Sequence, residues 1–302
     1  MRRMEAAKKV TVLGALRLAE SYLRGRGVED ARLSAEHLLA RRMGCSRLEL
    51  YLRFDREAEA AALEAVREDL RRRGERYPLQ YIIGEIEFVS LPFRLREGVF
   101  IPRPETEILV ERIEQLAGAR GEASFLELGV GAGVISGSLA ARHPGWRGAA
   151  FDVSPEAVSC ARDNLRSLGV EERVDLFVAD AFGAVGGGRR FDIIASNPPY
   201  VRSGDIDALA PEVSRYEARA ALDGGSEGTR FYPAIAEAAA RLLRPGGLAA
   251  VEIGDGQGGE VAAIFAAAGL ERAAVGRDYN RLERTVTAFA PGEGASEWTV
   301  SS

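Results

Sequence analysis

Apolar residues recur every three to four positions along the first 75 residues, which is the spacing of amphipathic helices. One run covers residues 13–23, a second begins at Ser34 and ends at Gly44, and a third covers residues 63–70. Ser34 is a suitable N-cap for the second helix, and glycine suits its end. We therefore predict a small helical bundle over residues 1–75.

The pattern changes at Tyr77. Residues 77–95 are rich in β-branched and aromatic side chains interrupted by Gly and Pro, which favours a short hairpin in a linker over 76–103. From residue 104 short apolar strands alternate with helical segments, which predicts an α/β domain with a mostly parallel sheet and helices on both faces. The predicted strands are 125–128, 149–153, 174–179, 191–196 and 248–253, the predicted helices are 105–116, 134–142, 155–168 and 231–243, and two final strands joined at 278–280 end the sheet antiparallel. This domain covers 104–290, and we expect 291–302 to be a flexible tail.

With 302 residues, 46% of them hydrophobic, the chain can bury the cores of one large and one small domain. It contains no apolar run of about 18 residues and no signal-type segment, so we expect a cytoplasmic protein that does not contact membranes. Cys45 and Cys160 lie outside any CxxC pair, and only two histidines are present. No metal site is predicted.

The net charge of -5 is unevenly distributed. Residues 1–80 contain 18 Lys and Arg against 13 Asp and Glu, whereas the remainder contains 22 against 32. A basic helical unit beside an acidic domain can mark a docking surface for an acidic partner or nucleic acid, and it can equally be a set of solvated helix faces.

Three glycines separate a predicted strand from a predicted helix in FLELGVGAGV, residues 125–134. Glycine lets the backbone approach a ligand closely, and the helix N-terminus offers free N–H groups. A tight structural turn, or a nucleotide site of another class, would use the same residues. The candidate cofactor-binding residues of this turn are Gly129, Val130, Gly131, Ala132 and Gly133.

Two aspartates follow the next predicted strands. Asp152 ends the second strand, where its carboxylate could accept hydrogen bonds from both ribose hydroxyls of a nucleoside, and Asp180 follows the third, where it could meet the adenine amine. Each alone could be a helix cap or a loop residue. Together with the glycines they predict a nucleoside site, because ligands bind outside the carboxyl ends of parallel strands.

The segment Asn-Pro-Pro-Tyr, residues 197–200, follows the fourth strand directly. A planar nitrogen, in an amide or an adenine amine, is a poor nucleophile, so catalysis must hold it and weaken its conjugation. The side-chain oxygen of Asn197 and the carbonyl of Pro198 can each accept one N–H, which would aim the lone pair at the methyl group of a sulfonium donor. Pro199 helps to stiffen the loop, and Tyr200 offers an aromatic face. These four are the candidate catalytic residues, and a strand-ending turn is the structural alternative.

Several motifs together resemble one family, the bacterial release-factor glutamine methyltransferases, over nearly the whole chain. They are PLQYIIG (78–84), IPRPETE (101–107), the ELGVGAG turn, NPPY and DGGSEGTRFY (223–232), in that order after a helical N-terminal region. The combination of IPRPETE with PLQYIIG is the most specific part.

The resemblance implies a Rossmann-like class I methyltransferase fold, with a mostly parallel seven-stranded sheet beside the helical domain, and S-adenosylmethionine as cofactor. It implies methylation at N5 of the glutamine in the Gly-Gly-Gln motif of class I peptide-chain release factors. Apart from the resemblance, we expect a monomer, and we do not expect nucleic acid as a partner because the only basic region is the small helical unit. In the family the helical domain and hairpin help to hold the protein substrate, and the NPPY residues grip the glutamine amide. Asn197 therefore belongs to both the catalytic and the cofactor-binding set, and Arg103 and Glu105 help to shape the pocket.

The chain departs from the family pattern at the glycine turn. Glu127, Val130 and Ala132 stand where the family usually has Asp, Thr and Ser, so two hydroxyls are absent and one acid is longer. We expect altered donor affinity with the backbone contacts retained. Ala181 and Phe182 follow Asp180, where some members carry a large aromatic residue over adenine.

Three other functions use part of this pattern. An adenine-N6 methyltransferase would share the NPPY chemistry, but it requires a sizeable basic surface to take a base out of its stack. An enzyme that methylates a glutamine of a ribosomal protein would share the catalytic domain, and only the helical domain and hairpin argue against it. A catalytically silent donor-binding protein would not need an intact NPPY segment.

Overall fold

The computed structural model describes residues 10–117, 120–180 and 191–292, which divide into two compact units. The helical unit comprises residues up to Glu85 together with Pro211–Tyr216. The sheet unit comprises Ile86–Ala210 and the residues from Glu217 onward. The short segment 211–216 thus belongs to the helical unit, although the chain on either side of it belongs to the sheet unit.

The helical unit is built from six helices in its described part. They are α1 (Val12–Gly25), α2 (Ala31–Arg42), α3 (Arg47–Tyr51), α4 (Ala60–Gly74), α5 (Leu79–Ile83) and α9 (Pro211–Ser214). Thr11 caps α1, because its hydroxyl accepts a hydrogen bond from the Gly14 N–H at 3.1 Å. The fully buried side chains of Leu16, Leu23 and Leu38 lie in its core. The helical prediction for this region is confirmed.

Two local predictions in this unit are wrong. Helix α2 begins at Ala31 after Asp30, not at Ser34, and the buried Ser34 hydroxyl instead accepts a hydrogen bond from Arg73 Nε at 3.1 Å. The segment Leu79–Ile83 is a helical turn and not part of the hairpin. It ends at Gly84, whose φ of 81° is the left-handed conformation that glycine adopts without strain.

The sheet unit contains a two-stranded hairpin and a seven-stranded sheet. The hairpin is β1 (Glu85–Phe88) and β2 (Leu91–Arg94), and the sheet is β3 (Ala123–Leu128), β4 (Trp146–Asp152), β5 (Val174–Val178), β6 (Phe191–Ser196), β7 (Leu243–Glu252), β8 (Glu271–Arg277) and β9 (Glu283–Phe289). The order is β5-β4-β3-β6-β7-β9-β8, with the first five strands parallel and β9 antiparallel to both neighbours. The mostly parallel seven-stranded sheet with an antiparallel end is confirmed.

Helices connect these strands. They are α6 (Glu105–Ala117), α7 (Val134–Arg142), α8 (Pro155–Ser167), α10 (Tyr232–Leu242) and α11 (Gly258–Ala267), with short 3-10 helices at Glu171–Arg173, Ile206–Ala208 and Arg219–Ala221. Every residue of the central strand β6 is buried, which suits its mainly apolar sequence. Within the described ranges, no helix is both long and apolar enough to cross a bilayer.

The register of the parallel strands brings four strand ends to one edge of the sheet. Leu128 of β3 pairs with Phe151 of β4 and with Ser196 of β6, and Ser196 pairs with Val251 of β7. Adjacent strands lie about 4.8 Å apart. The residues that follow these pairs are therefore neighbours, although up to 123 positions separate them in the sequence.

Within the sheet unit, the hairpin packs on α8 through Asn164. The Asn164 Oδ1 accepts a hydrogen bond from the Arg94 N–H at 2.7 Å, and its Nδ2 donates to the Arg94 carbonyl at 3.0 Å and the Ala132 carbonyl at 2.8 Å. Asn164 is fully buried. One side chain thus joins β2 to the glycine turn.

Candidate active site

The glycine turn between β3 and α7 has three residues in the left-handed region. The φ angles of Gly129, Gly131 and Gly133 are 81°, 53° and 78°. A Cβ at Gly133 would lie 3.0 Å from the Ala161 Cβ, so this glycine is needed for helix packing. A Cβ at Gly129 or Gly131 would have no neighbouring atom within 4 Å. The backbone at these two positions is therefore accessible to a ligand, as a bound nucleoside requires.

Asp152 holds this turn against the end of β4. Its Oδ2 accepts a hydrogen bond from the Gly131 N–H at 2.9 Å, and its Oδ1 accepts one from the Ser154 N–H at 3.0 Å. A carboxylate has about four acceptor sites, so two backbone bonds leave capacity for ribose hydroxyls. The structure thus brings Asp152 and the glycine turn together, and the ribose contact stays a prediction.

Val130 and Ala132 lie in the turn, and each residue is 2% exposed. The Val130 N–H donates to the Phe151 carbonyl at 2.8 Å, and the Ala132 carbonyl accepts from Asn164, so both residues serve the packing of the turn. The two hydroxyls that the family usually has at these positions would therefore also point into the protein. Their absence alters the packing of the turn more directly than it alters donor contacts.

Asp180 follows β5 and is exposed. It lies at the same edge of the sheet as Asp152, because β5 and β4 are parallel neighbours with Val178 beside Asp152. Its proposed adenine contact stays a prediction. Ala181 and Phe182 lie outside the described residues.

Glu127 is buried in β3 beneath the turn. Burial raises the pKa of its carboxyl to about 8, against opposing hydrogen bonds from the hydroxyl and the backbone N–H of Ser136 to its Oε2. Its Oε1 has no hydrogen-bond partner among the described residues. This side chain is therefore mostly protonated at neutral pH.

The Asn197–Tyr200 segment begins at the end of β6, beside the glycine turn at the end of β3. The Asn197 Nδ2 donates a hydrogen bond to the Thr106 Oγ1 at 3.0 Å, and Pro198 is buried. The Tyr200 hydroxyl donates to the Glu252 Oε1 at 3.1 Å. Pro199 and Tyr200 are partly exposed. All four predicted catalytic residues are thus placed at the sheet edge that carries the glycine turn, and their chemical roles stay predictions.

Glu252 ends β7 directly behind this segment and is fully buried. Burial raises the pKa of its carboxyl to about 7, while hydrogen bonds from the Thr106 and Tyr200 hydroxyls favour its charged form. Its Oε2 has no hydrogen-bond partner among the described residues. Burial also raises the pKa of Tyr200, and the neighbouring Glu252 raises it further. The tyrosine hydroxyl therefore remains a donor at neutral pH.

The DGGSEGTRFY motif runs beside the Asn197–Tyr200 segment. Val201 N–H donates to the Leu222 carbonyl at 2.9 Å, and Gly224 N–H donates to the Val201 carbonyl at 2.8 Å. The Gln257 Nε2 donates to the Tyr200 carbonyl at 3.1 Å, and the Gly254 N–H donates to Gln257 Oε1 at 2.8 Å. These bonds fix the backbone that follows the two prolines.

Arg103, from the IPRPETE motif, forms an ion pair with Glu217. Its Nη2 lies 2.5 Å from the Glu217 Oε1, and its guanidinium lies 5.0 Å from the Phe100 ring centroid. Burial raises the pKa of Glu217, and Arg103 opposes this shift. Arg103 thus has a structural partner, and the part that Arg103 and Glu105 play in the pocket stays a prediction.

Sequence reasoning overlooked Thr106, Glu252 and Gln257. Glu252 is an acid at the end of an apolar strand, the same signal that singled out Asp152. Thr106 lies inside IPRPETE, where the charged residues drew attention. Gln257 has no local signal, because its role depends on a contact with a carbonyl 57 residues away.

Two family models match the chain. The PrmC N-terminal domain matches residues 14–84, and the methyltransferase small domain matches residues 93–229. The release factor glutamine methyltransferase of Geobacter sulfurreducens is 42% identical over 276 residues, which cover 91% of this chain and 95% of that protein. The release factor glutamine methyltransferase of Cereibacter sphaeroides is 41% identical over 280 residues, which cover 92% and 98%.

Solved structures share the fold of the sheet unit. The hMettl16 catalytic domain in complex with MAT2A 3'UTR hairpin 6 aligns with a TM-score of 0.55 and 14% sequence identity, over 70% of this chain and 78% of that one. At this identity the likeness concerns the fold alone.

The curated relatives match from the helical unit through the sheet unit, at identities far above those of the structural neighbours. The first family model includes the PLQYIIG motif, and the second includes IPRPETE, the glycine turn and NPPY. The chain belongs to the release factor glutamine methyltransferase family.

Proposed function

We propose that this chain transfers a methyl group from S-adenosylmethionine to N5 of the glutamine side chain in the Gly-Gly-Gln motif of class I peptide-chain release factors. One observation carries the proposal: Leu128 and Ser196 are paired across adjacent parallel strands, so the glycine turn and Asn197 begin side by side. A methyl donor at the turn and a flat amide at Asn197 would then be neighbours, as direct transfer requires.

Family membership confirms the sequence-based prediction of S-adenosylmethionine as cofactor. The open space over Gly129 and Gly131 and the carboxylate of Asp152 suit its nucleoside part. When bound, S-adenosylmethionine supplies an electrophilic methyl group on a sulfonium. In the described residues, no group of three or more His, Cys, Asp or Glu is arranged to hold a metal ion.

The chain's own residues would act on the acceptor nitrogen. Asn197 Oδ1 and the Pro198 carbonyl would each accept one N–H of the substrate amide, which turns its lone pair toward the donor. Two prolines and the Gln257 contacts stiffen the backbone that carries these acceptors. Tyr200 would present its ring to the flat amide while its hydroxyl stays bonded to Glu252.

The proposal extends to a monomeric, cytoplasmic enzyme whose partners are class I release factors and not nucleic acid. Several arginines of the helical unit are paired with its own buried acids: Arg32 and Arg47 with Glu36, and Arg42 with Asp69. These pairs reduce the charge that is available to phosphates. Light scattering on the purified protein would give its oligomeric state.

The decisive experiment combines purified release factor, labelled S-adenosylmethionine and mass spectrometry of the Gly-Gly-Gln peptide. One added methyl group on that glutamine is the expected result. Label on a ribosomal protein or on an adenine of nucleic acid, with none on the release factor, would refute the proposal. A release factor with Gln replaced by Ala in this motif is the matched control and should take up no label.

A further inference from the structure

The Asn197 side chain is tied to two buried polar residues behind it. Asn197 Nδ2 donates to Thr106 Oγ1 at 3.0 Å, and the Thr106 hydroxyl lies near enough to the Glu252 carboxyl to lower the pKa of that acid. Thr106 is 1% exposed on the first turn of α6, and Glu252 is 0% exposed at the end of β7. The chain of contacts therefore runs from the cleft into the core.

The direction of these hydrogen bonds follows from the number of protons. A threonine hydroxyl has one proton to donate, and an ionised carboxylate can only accept. When the Thr106 proton goes to Glu252, the Thr106 oxygen can only accept from Asn197. The NH2 end of the Asn197 amide must then face Thr106, because its oxygen end could not bond there.

We infer that Thr106 and Glu252 are positioning residues that fix the orientation of the Asn197 amide, with Nδ2 turned into the protein and Oδ1 left to accept from the substrate. The inference rests on the proposed function, in which Oδ1 accepts an N–H of the glutamine amide. The two ends of an asparagine amide are nearly equal in size, so packing alone would select between them weakly. The buried carboxylate of Glu252, acting through Thr106, favours one orientation of the amide over the other.

Ionisation of Glu252 sets the direction of the chain. A protonated carboxyl could donate to Thr106, whose hydroxyl could then donate to Asn197 Oδ1 and turn the amide over. Two tyrosine hydroxyls surround Glu252: that of Tyr200 donates to its carboxyl, and that of Tyr232 donates to its backbone carbonyl. The charge of Glu105 in α6 raises the pKa of Glu252, and the charge of Arg284 in β9 lowers it. Burial raises the pKa of Tyr232 as well, so both tyrosines stay neutral. Glu252 has a pKa of about 7, and the other buried acid near this amide, Glu127 of β3, has a pKa of about 8.

The first test replaces Thr106. Thr106→Val keeps the shape and removes the acceptor, and we expect kcat to fall roughly tenfold or more while the Kd for S-adenosylmethionine stays within about twofold. Thr106→Ser keeps the hydroxyl and should retain most of the rate. Thr287→Val makes the same change at a buried position of β9 paired with Ala250, and it controls for the loss of any buried hydroxyl.

The second test reads the amide directly. In 15N-labelled protein the side-chain NH2 signals of Asn197, identified by their loss in Asn197→Ala, should exchange slowly with solvent in the wild type and quickly in Thr106→Val. This readout needs no substrate, so it judges the inference even if the release factor turns out not to be methylated. Rapid exchange in the wild type, or equal exchange in both proteins, would overturn the inference.

The third test uses pH. The wild-type kcat should rise with pH through about 7 as Glu252 ionises, and Glu252→Gln should have a lower kcat without this rise. Thermal melting of each variant shows whether it is folded. If the wild type methylates the release factor while Thr106→Val and Glu252→Gln match its kcat at every pH, the inference is wrong and the proposed function stands.

Discussion

Gly131 and Asp152 are joined by a 2.9 Å hydrogen bond from the glycine N–H to the carboxylate Oδ2, which ties the glycine turn to the end of β4. Asp152→Ala should therefore weaken S-adenosylmethionine binding by more than tenfold, because it removes both this hydrogen bond and the proposed acceptor for the ribose. Asp152→Asn keeps one acceptor oxygen, so its affinity for the donor should lie between those of the wild type and Asp152→Ala. Isothermal titration with the donor measures the effect. Glu156→Gln changes an exposed acid in the first turn of α8 and should bind the donor like the wild type. Equal affinities for all four proteins would contradict the assignment.

Asn197→Ala separates donor binding from turnover. The variant lacks the proposed side-chain acceptor for the substrate amide, so we expect kcat to fall by about a hundredfold or more, and we expect the donor Kd to change far less than kcat. Steady-state methylation and donor titration measure the two effects. A variant that kept a near-normal rate would remove Asn197 from the catalytic set.

Gly228 touches the backbone behind Tyr200 with no room for a side chain. A Cβ there would lie 2.5 Å from the Tyr200 carbonyl oxygen and 2.5 Å from the Gln257 Nε2, and its φ is 81°. Gly228→Ala should lower the free energy of unfolding by about 3 kcal/mol, from left-handed strain and crowding together, and should also lower kcat. The loss is measured by urea denaturation.

Gly269 offers a matched control for this change. Its φ is 86°, and a Cβ there would have no neighbour within 4 Å. Gly269→Ala should therefore cost only the strain of the left-handed conformation, about 1 kcal/mol, with kcat unchanged. If both variants lost the same stability and the same rate, the crowding against Tyr200 would have no role.

The positions of Asp152 and Asn197 could be predicted from the sequence because each is a polar residue that ends an apolar run. This signal is local, and parallel strands bring their carboxyl ends to one edge without further information. The Asn197–Thr106 bond could not be predicted in the same way. Its two partners are 91 residues apart, and their meeting depends on how α6 packs over the sheet.

The local errors in the helical unit have a similar origin. Ser34 has the chemistry of an N-cap, but the helix begins earlier because Ala31 is 3% exposed and packs in the core. The segment Leu79–Ile83 is rich in residues that favour strands, yet burial of Tyr81 and Ile82 on one side selects a helical turn. In both places tertiary packing outweighs a propensity worth less than about 1 kcal/mol per residue.

Glu127 should make stability fall as pH rises. Burial raises the pKa of its carboxyl from 4.5 to about 8. The folded state therefore keeps a proton that the unfolded state loses, so the contribution of this group is full below pH 4.5 and declines until about pH 8. Glu127→Gln mimics the protonated form and should gain stability relative to the wild type over this window. Urea denaturation at pH 5.5 and 8 tests the difference, and a constant difference between the two proteins would contradict it.

Glu212 should have the opposite pH dependence. It lies in α9 and accepts hydrogen bonds from Arg73 Nη1 at 2.8 Å and from Arg76 Nε and Nη2 at 2.7 Å. Burial would raise the pKa of Glu212, but the hydrogen bonds from Arg76 and Arg73 outweigh it and hold the pKa below 4.5. Its contribution is present above pH 4.5 and is lost as the pH falls through the lower folded-state value.

Removal of this carboxylate should therefore destabilise the helical unit most at neutral pH. The Arg73 side chain is only 8% exposed, so Glu212→Ala leaves a buried guanidinium without its counter-ion and should cost about 3 kcal/mol. Glu64→Ala breaks an ion pair with Arg67 in which both side chains are more than 70% exposed, and it should cost less than about 1 kcal/mol. Urea denaturation at pH 7 and pH 4 compares the two variants with the wild type.

Because the segment 211–216 follows the Asn197–Tyr200 segment by about ten residues and belongs to the helical unit, loss of the Glu212 ion pairs should also raise the KM for the release factor while the donor Kd stays unchanged. An unchanged KM in a destabilised variant would limit the role of Glu212 to stability.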